Sequence, residues 1–277
     1  MVEAPVSIPF TPSATVRERW MRLRNFQSQD FWAMVFARPL TILLLLPLAD
    51  RPWVTPDRLT WAANVTKAAG GALVAFGPNL AWWVVGIALV NLGLVLDNMD
   101  GTLARYRGTS SMLGYYFDKA SDLALHGMMF AAVGYRAWVE TGEVLDLVLP
   151  VAAYAGFCGS GYAKWLAIKV MGDAELIAAH RDGQVPALVE KRLRQNPSTQ
   201  PPQRGPRDWA VFLGRAVISI PKINEVDIPF FAAVAIVSGE WWIFTRVMCA
   251  IYASGALLGP IKFQRDLGKY LAERRLT

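Results

Sequence analysis

Long apolar runs separated by short polar breaks cover most of the chain, and they predict helices that cross a membrane. A helix needs about 20 mainly apolar residues to span about 30 Å of hydrocarbon. Glycine, proline or charged residues stand at the ends of these runs, where helices commonly stop. The predicted fold class is all-α, a polytopic membrane helix bundle of about six transmembrane helices with an N-terminal amphipathic interfacial helix. The predicted spans are residues 57–76, 80–104, 111–137, 144–170, 225–239 and 241–263.

The region ahead of the first span has a different pattern. Between residues 15 and 36, arginines alternate with tryptophan, leucine and phenylalanine, which is typical of a basic amphipathic helix at an anionic membrane surface. Residues 40–48 are strongly apolar, but they are too few to span the membrane and two prolines bracket them. We expect an interfacial or half-inserted segment here. The alternative is that residues 31–37 and residues 40–48 form one longer helix.

Two domains follow from this pattern. Residues 1–50 form an N-terminal tail and a juxtamembrane amphipathic segment, and residues 51–277 form the transmembrane domain. Residues 172–224 are the longest polar stretch and are predicted to be a cytoplasmic loop, with a surface helix over 174–194. Such a loop either covers the mouth of a site or is a solvated linker.

Composition supports the membrane assignment and excludes other classes. Hydrophobic residues make up 54% of the 277 residues and mean hydropathy is +0.29, which is too apolar for an ordinary soluble domain. Cys158 and Cys249 both lie in apolar runs, which indicates buried small side chains rather than a disulfide or a thiolate metal site. His126 and His180 have no ligand-like spacing, which argues against histidine-based metal binding.

The net charge of +6 is concentrated in the connections between spans. Basic residues cluster before the first span, at Arg105 and Arg107, along 164–222 and in the tail, whereas residues 140–146 are acidic. The positive-inside rule then places both termini and the end of the second span in the cytoplasm. Topology and anionic lipid explain the basic charge, so we expect membrane lipids and no nucleic acid as partners.

Four aspartates lie where two apolar runs meet. Asp97 and Asp100 are spaced i, i+3 at the end of one run, and Asp118 and Asp122 are spaced i, i+4 near the start of the next. Each pair therefore projects from one helix face, and the pairs converge if the helices pack together. Carboxylates in such an apolar setting need a counter-charge. Oxygen ligands favour Mg²⁺, Mn²⁺ or Ca²⁺ over zinc, and the alternatives are a structural ion site or carboxylates paired with basic side chains.

Small residues and one arginine accompany these aspartates. Gly101 and Ala104 leave a notch one turn beyond the first pair, and Gly114 does the same opposite. Arg105 places a guanidinium, which pairs well with phosphate, at the rim of this notch. The pattern therefore favours a bulky phosphorylated ligand.

This stretch closely resembles the signature of the CDP-alcohol phosphotransferase family of integral membrane enzymes. Two residues separate the first aspartates, eight separate the arginine from the later glycine, and three precede each later aspartate. The residues that carry the resemblance are Asp97, Asp100, Gly101, Ala104, Arg105, Gly114, Asp118 and Asp122.

The resemblance implies a site for two divalent cations, Mg²⁺ or Mn²⁺, that binds the diphosphate of a CDP-linked donor. It implies that all four aspartates are metal ligands and that Asp122 is the catalytic base for the acceptor hydroxyl. Asp57 and Thr60 stand in a Pro-Asp-x-x-Thr element that family members carry near the nucleotide, and plain helix capping is the alternative for them. A homodimer is a further family expectation.

The acceptor is less well specified. Related enzymes that take a phosphorylated alcohol hold its phosphate with basic residues of the fourth and fifth spans, and Lys164 and Arg215 are the candidates here. Before the fifth span, however, this chain has acidic residues, Glu225 and Asp227. Three interpretations remain open. The acceptor is phosphorylated, or the two acids receive an acceptor that has an amine or is an unphosphorylated polyol, or the two acids merely end a helix.

The predicted function is metal-dependent transfer of a phosphatidyl or phospho-alcohol group from a CDP-linked donor, foremost CDP-diacylglycerol, to an alcohol acceptor. CMP is released, in phospholipid biosynthesis at a bacterial or archaeal-type cytoplasmic membrane. A CDP-linked polar alcohol with a lipid or inositol-phosphate-type acceptor is the alternative. A membrane pyrophosphatase and a divalent-cation transporter are the rival classes.

Overall fold

The computed structural model describes residues 12–13, 15–24, 31–182 and 225–273. All regular elements in these ranges are helices, which confirms the predicted all-α class. The chain divides into two compact units, residues 1–132 with 200–240 and residues 133–199 with 241–277. The main helices are α1 Val16–Leu23, α2 Arg38–Leu48, α3 Pro56–Phe76, α4 Leu80–Arg107, α5 Met112–Thr141, α6 Val144–Asp182, α7 Ile228–Ser238 and α8 Cys249–Glu273.

Three helical segments in the described ranges are long and apolar enough to cross a membrane. They are Leu80–Arg107, Val144–Ile177 and Ile243–Ala272, and they identify an integral membrane protein. Helices α3 and α5 form where spans were predicted, but they carry charged side chains among their apolar ones. The predicted number of six spans stays a prediction.

Helices α3 and α4 form a helical hairpin around the short connection Gly77-Pro-Asn. The Asn79 side chain accepts a hydrogen bond of 3.1 Å from the Ala81 N–H and so caps α4. The two helices approach closely at a pair of glycines. A Cβ atom on Gly70 would lie 2.5 Å from the Gly86 carbonyl oxygen, so a side chain here would push the helices apart. This close approach brings the polar positions of α3 against the aspartates of α4.

Helix α2 differs from the favoured expectation of a separate short segment. A π-helical stretch, Ala33–Ala37, runs directly into Arg38–Leu48, so the apolar segment is joined across Arg38 and Pro39. Buried hydrogen bonds tie the joined helix to α4. The Thr41 hydroxyl donates to the Val95 carbonyl at 3.2 Å, and the indole N–H of Trp32 donates to Asn91 Oδ1 at 2.7 Å. This packing favours the longer helix over a free interfacial segment.

Helix α1 is shorter than the predicted amphipathic helix, because it ends at Leu23. Leu23 is buried, and Arg22 donates to the Tyr106 carbonyl oxygen at 3.1 Å while lying over the ring of the same tyrosine. This arginine therefore sits at the C-terminal end of α4, where a positive charge is favourable. The position of this helix at the membrane surface stays a prediction.

In the second unit, α6 continues without interruption to Asp182. The beginning of the predicted loop 172–224 is therefore the end of α6 and not a separate surface helix starting at residue 174. Residues 183–224 lie outside the described ranges. Asp146 is buried and accepts hydrogen bonds from Thr141 at 2.8 Å and Thr245 at 2.6 Å, with Arg246 Nε at 3.5 Å. Arg246 is therefore paired with a buried carboxylate of the same unit.

Candidate active site

A cavity of about 450 Å³ lies in the first unit, bounded mainly by α3, α4 and the start of α5. It gathers every residue that the sequence predicted for donor and metal binding. Those residues are Asp57, Thr60, Asp97, Asp100, Gly101, Ala104, Arg105, Gly114, Asp118 and Asp122.

Three of the four aspartates meet in this cavity. Asp97, Asp100 and Asp118 each offer a carboxylate oxygen, and these oxygens lie within 4.8 Å of one another. The turn between α4 and α5 makes the meeting possible: Gly108 closes α4 with a φ of 68°, and the Ser111 hydroxyl accepts the Gly114 N–H at 2.9 Å. Three clustered carboxylates suit a hard divalent cation such as Mg²⁺ or Mn²⁺.

Thr60 is bonded to one member of this trio. Its hydroxyl donates to Asp100 Oδ2 at 2.5 Å and also lies 3.1 Å from the Pro56 carbonyl oxygen. Asp100 itself is buried, so this bond supplies an oxygen of the carboxylate with a donor that water does not provide. Helix α3 is capped by a different threonine, Thr55, whose hydroxyl accepts the Arg58 N–H at 3.3 Å. Thr60 and the cap are thus different residues with different tasks.

Lys67 is a site residue that the sequence reasoning did not single out. Its ammonium nitrogen lies 3.0 Å from Asp97 Oδ1 and 3.1 Å from Asp122 Oδ1, so it bridges the two aspartates. The available signal was a lone lysine inside the apolar run 57–76. A charge in such a run is a functional candidate by default, with an acidic partner expected.

Asp122 occupies the same cavity but lies outside the trio. Its Oδ1 faces Lys67, and its Oδ2 lies 3.3 Å from the ammonium of Lys119, which also pairs with Asp118 at 3.0 Å. His126 lines the cavity one helical turn further along α5. The carboxylate at residue 122 is therefore surrounded mainly by basic side chains.

Two arginines converge on one hydroxyl beside the notch. Arg105 donates to Thr102 Oγ1 at 3.3 Å, and Arg38 donates to the same oxygen at 3.4 Å. Both line the cavity. Gly101 leaves room for this guanidinium, since a Cβ atom on residue 101 would lie 3.3 Å from Arg105 Nη1. Arg38 was missed because it stands in the juxtamembrane segment, far along the sequence from the aspartates.

The candidate acceptor residues have different positions. Lys164 is exposed on α6 in the second unit, and Arg215 and the Glu225 side chain lie outside the described residues. Asp227 is only 1% exposed, and its Oδ1 accepts the Trp32 N–H at 2.9 Å. Its carboxylate therefore joins the start of α7 to the chain before α2. This contact favours the interpretation that Asp227 ends a helix over the interpretation that it binds an acceptor.

Comparisons with known proteins agree with the site. The family model for CDP-alcohol phosphatidyltransferase matches residues 53–188, which include the hairpin and all four aspartates. A phosphatidylinositol phosphate synthase of Cutibacterium acnes is 29% identical over 147 residues, which cover 52% of this chain and 70% of that protein.

Two further relatives match over smaller shares of their length. A phosphatidylinositol phosphate synthase of Mycolicibacterium smegmatis is 31% identical over 111 residues, covering 39% of this chain and 48% of the relative. A bifunctional IPC transferase and DIPP synthase of Rubrobacter xylanophilus is 29% identical over 166 residues, covering 47% of this chain and 37% of the relative. With its signature residues gathered in one cavity and residues 53–188 matched by the family model, the chain carries a CDP-alcohol phosphatidyltransferase domain, and members of that family are phosphotransferases.

Proposed function

We propose that the protein transfers a phosphatidyl group from CDP-diacylglycerol to an alcohol acceptor and releases CMP. The observation that carries this proposal is the single cavity in which the carboxylate trio, Arg105 and the Gly101–Ala104 notch lie together. A cluster of carboxylates alone fits many ions, but a cluster beside a guanidinium and a notch fits a metal-bound diphosphate with a bulky substituent. We further propose that the site faces the cytoplasm, where CDP-linked donors are found.

Each group around the cavity has a separate task in this reaction. Asp97, Asp100 and Asp118 would hold divalent metal, Mg²⁺ or Mn²⁺. When bound, the metal neutralises charge on the diphosphate and makes CMP a better leaving group. Thr60 fixes the Asp100 carboxylate, so that the site is ordered before the donor arrives. Arg105 and Arg38 bind phosphate oxygens, since both guanidiniums line the cavity.

The transfer forms one bond at phosphorus and breaks another. The acceptor hydroxyl oxygen attacks the phosphorus that carries the diacylglycerol group, and the bond from this phosphorus to the bridging oxygen of CMP breaks. Asp122 takes the proton of the hydroxyl, and CMP leaves with the bridging oxygen. Asp122 suits this task because it lies in the cavity but outside the carboxylate trio.

The favoured acceptor is a phosphorylated polyol of the inositol phosphate type. Three observations support it over an amine. The cavity is lined by four cationic side chains, those of Arg38, Lys67, Arg105 and Lys119. Asp227, one of the two acids that could receive an amine, is buried and accepts a hydrogen bond from the backbone N–H of Trp32. Relatives that the chain resembles are named phosphatidylinositol phosphate synthases.

The test measures CMP release by the detergent-purified full chain with Mn²⁺ and CDP-diacylglycerol. The acceptors are inositol phosphate, glycerol phosphate, inositol and serine, each with wild type and Asp122→Asn. We expect CMP release only with wild type and a phosphorylated acceptor. CMP release without any alcohol would identify a hydrolase instead, and silence with every acceptor would overturn the proposed donor.

The division of roles among the aspartates has its own test. Asp97→Asn is expected to weaken Mn²⁺ and CDP-diacylglycerol binding together, because it removes a trio member. Asp122→Asn is expected to abolish turnover and leave donor binding partly intact. Equal loss of binding in both variants would contradict the separate role of Asp122.

A further inference from the structure

Lys67 holds two of the carboxylate oxygens that a second metal ion would need. Its ammonium nitrogen contacts Oδ1 of Asp97 and Oδ1 of Asp122 at 3.0 and 3.1 Å. These side chains are mainly buried, with exposed fractions of 12% for the lysine, 17% for Asp97 and 16% for Asp122. Water screens such a group of charges far less than a surface ion pair.

The backbone of α4 provides a place for this lysine. Gly93 lies one helical turn before Asp97, and a Cβ atom on it would come within 2.5 Å of Lys67 Cγ. The aliphatic stem of the lysine thus occupies the space that a side chain at residue 93 would fill. The space at Gly93 directs the ammonium along α4 to Asp97, so the ion pair is built into the packing of α3 against α4.

A divalent cation and this ammonium compete for the same oxygens. Mg²⁺ and Mn²⁺ ligands lie about 2.0–2.2 Å from the ion, well inside the distance of an ammonium hydrogen bond. An ion that bridged Asp97 and Asp122 would therefore meet the lysine at close range, where two positive charges repel strongly. Asp97 can still serve the trio with Asp100 and Asp118, because a carboxylate has two oxygens.

We propose that Lys67 takes the place of the second divalent cation, so that the donor-free protein binds one ion at Asp97, Asp100 and Asp118. This proposal rests on the proposed function, since it assumes that the trio binds metal. It differs from the family expectation of two ions, because here a side chain of α3 supplies the second positive charge. Displacement of Lys67 then becomes the condition for any second ion to enter.

The experiment counts bound Mn²⁺ without substrate. Free Mn²⁺ is measured by electron paramagnetic resonance while the detergent-purified full chain is titrated. We expect one tight ion per chain for wild type and for Lys67→Arg, which keeps the cation. Lys67→Met removes the charge at similar volume, and we expect two ions per chain. Lys169→Met is the control, because this lysine of α6 is 72% exposed, pairs with Asp173 and is not part of the cavity lining, and we expect it to bind one ion.

Each outcome decides the matter. Two tight ions in wild type would overturn the proposal whether or not the Lys67→Met variant folds. One ion in a folded Lys67→Met variant, checked by its thermal unfolding, would overturn it as well. Either result leaves the proposed transferase intact. No Mn²⁺ binding by wild type would instead overturn the metal-dependent function itself.

Discussion

The Thr60 hydroxyl of α3 lies 2.5 Å from Asp100 Oδ2 of α4, and this bond joins the two helices at the carboxylate trio. This bond depends on the close approach of the two helices at Gly70 and Gly86. Gly70 lies almost three helical turns after Thr60 on α3. The threonine of the Pro-Asp-x-x-Thr element thus contacts one carboxylate of the trio that we propose binds metal. Its function in this structure goes beyond helix capping, which Thr55 performs.

Thr60→Val keeps the shape of the side chain and removes the donor to Asp100. We expect Mn²⁺ affinity to fall by about 10–100-fold, the usual effect of removing a hydrogen bond to a metal ligand. Mn²⁺ titration of the purified protein measures it. The matched control is Thr66→Val, because Thr66 on the same helix donates to the Ala62 carbonyl of its own helix at 2.6 Å. Equal affinities in the two variants would contradict the role given to Thr60.

Gly86→Ala tests whether helix approach positions the site. The new methyl group would lie 2.7 Å from the Gly70 carbonyl oxygen and 2.9 Å from the Val74 nitrogen, both backbone atoms that cannot turn away. We expect a loss of about 1–3 kcal/mol in stability, as for other overpacked sites, together with weaker Mn²⁺ binding. Thermal unfolding in detergent and Mn²⁺ titration measure the two effects.

Gly172→Ala is the control for this variant. Gly172 lies in α6 with no atom within 4 Å of an added Cβ, so alanine is expected to preserve or slightly raise stability. A Gly86→Ala protein that melts like wild type and binds Mn²⁺ normally would show that the site tolerates separation of α3 from α4.

The sequence predicted the signature residues, Arg105 among them, but not the other cations that surround the aspartates. Spacing placed Asp97 and Asp100 on one helix face and Asp118 opposite, because helical periodicity is a local property. Lys67 and Arg38 reach the site from other helices, and only the packing of α3 and α2 on α4 brings them there. Long-range partners of this kind leave no trace in spacing.

The same limit explains the errors in the helix boundaries. The polar composition after residue 171 suggested that the fourth span ends and a separate surface helix begins at residue 174, yet α6 continues to Asp182 because the alanine and glutamate that follow residue 173 are good helix formers. Pro39 suggested a break, yet the helix continues because the π-helical stretch before it, where the Arg38 N–H bonds to the Ala33 carbonyl oxygen, accommodates the proline. In both places, composition was informative about the surroundings of the segment and not about its backbone.

Asp227→Asn separates a structural carboxylate from an acceptor site. The amide keeps an oxygen that can accept the Trp32 N–H, so we expect a melting temperature and an acceptor KM close to those of wild type. Asp227→Leu removes the acceptor and is expected to cost about 1–3 kcal/mol, because a buried N–H is left unsatisfied. A severalfold rise of acceptor KM in the stable Asp227→Asn variant would instead place this residue in the acceptor site.

Arg38→Met tests whether the juxtamembrane helix contributes to the site. Residue 38 lies before the stretch that the family model matches, yet its guanidinium lines the cavity and donates, like that of Arg105, to the Thr102 hydroxyl. Loss of a charge-assisted hydrogen bond to phosphate costs about 1.5–3 kcal/mol, so we expect CDP affinity to fall by about tenfold or more in the presence of Mn²⁺. Arg38→Lys should recover only part of this affinity, since an ammonium lacks the planar fork of arginine.

Arg58→Met is the control, because Arg58 is exposed on α3 and donates to the Trp53 carbonyl at 2.7 Å. Titration calorimetry with CDP compares the three variants, and equal affinity in Arg38→Met and Arg58→Met would show that the juxtamembrane arginine does not bind the nucleotide phosphates.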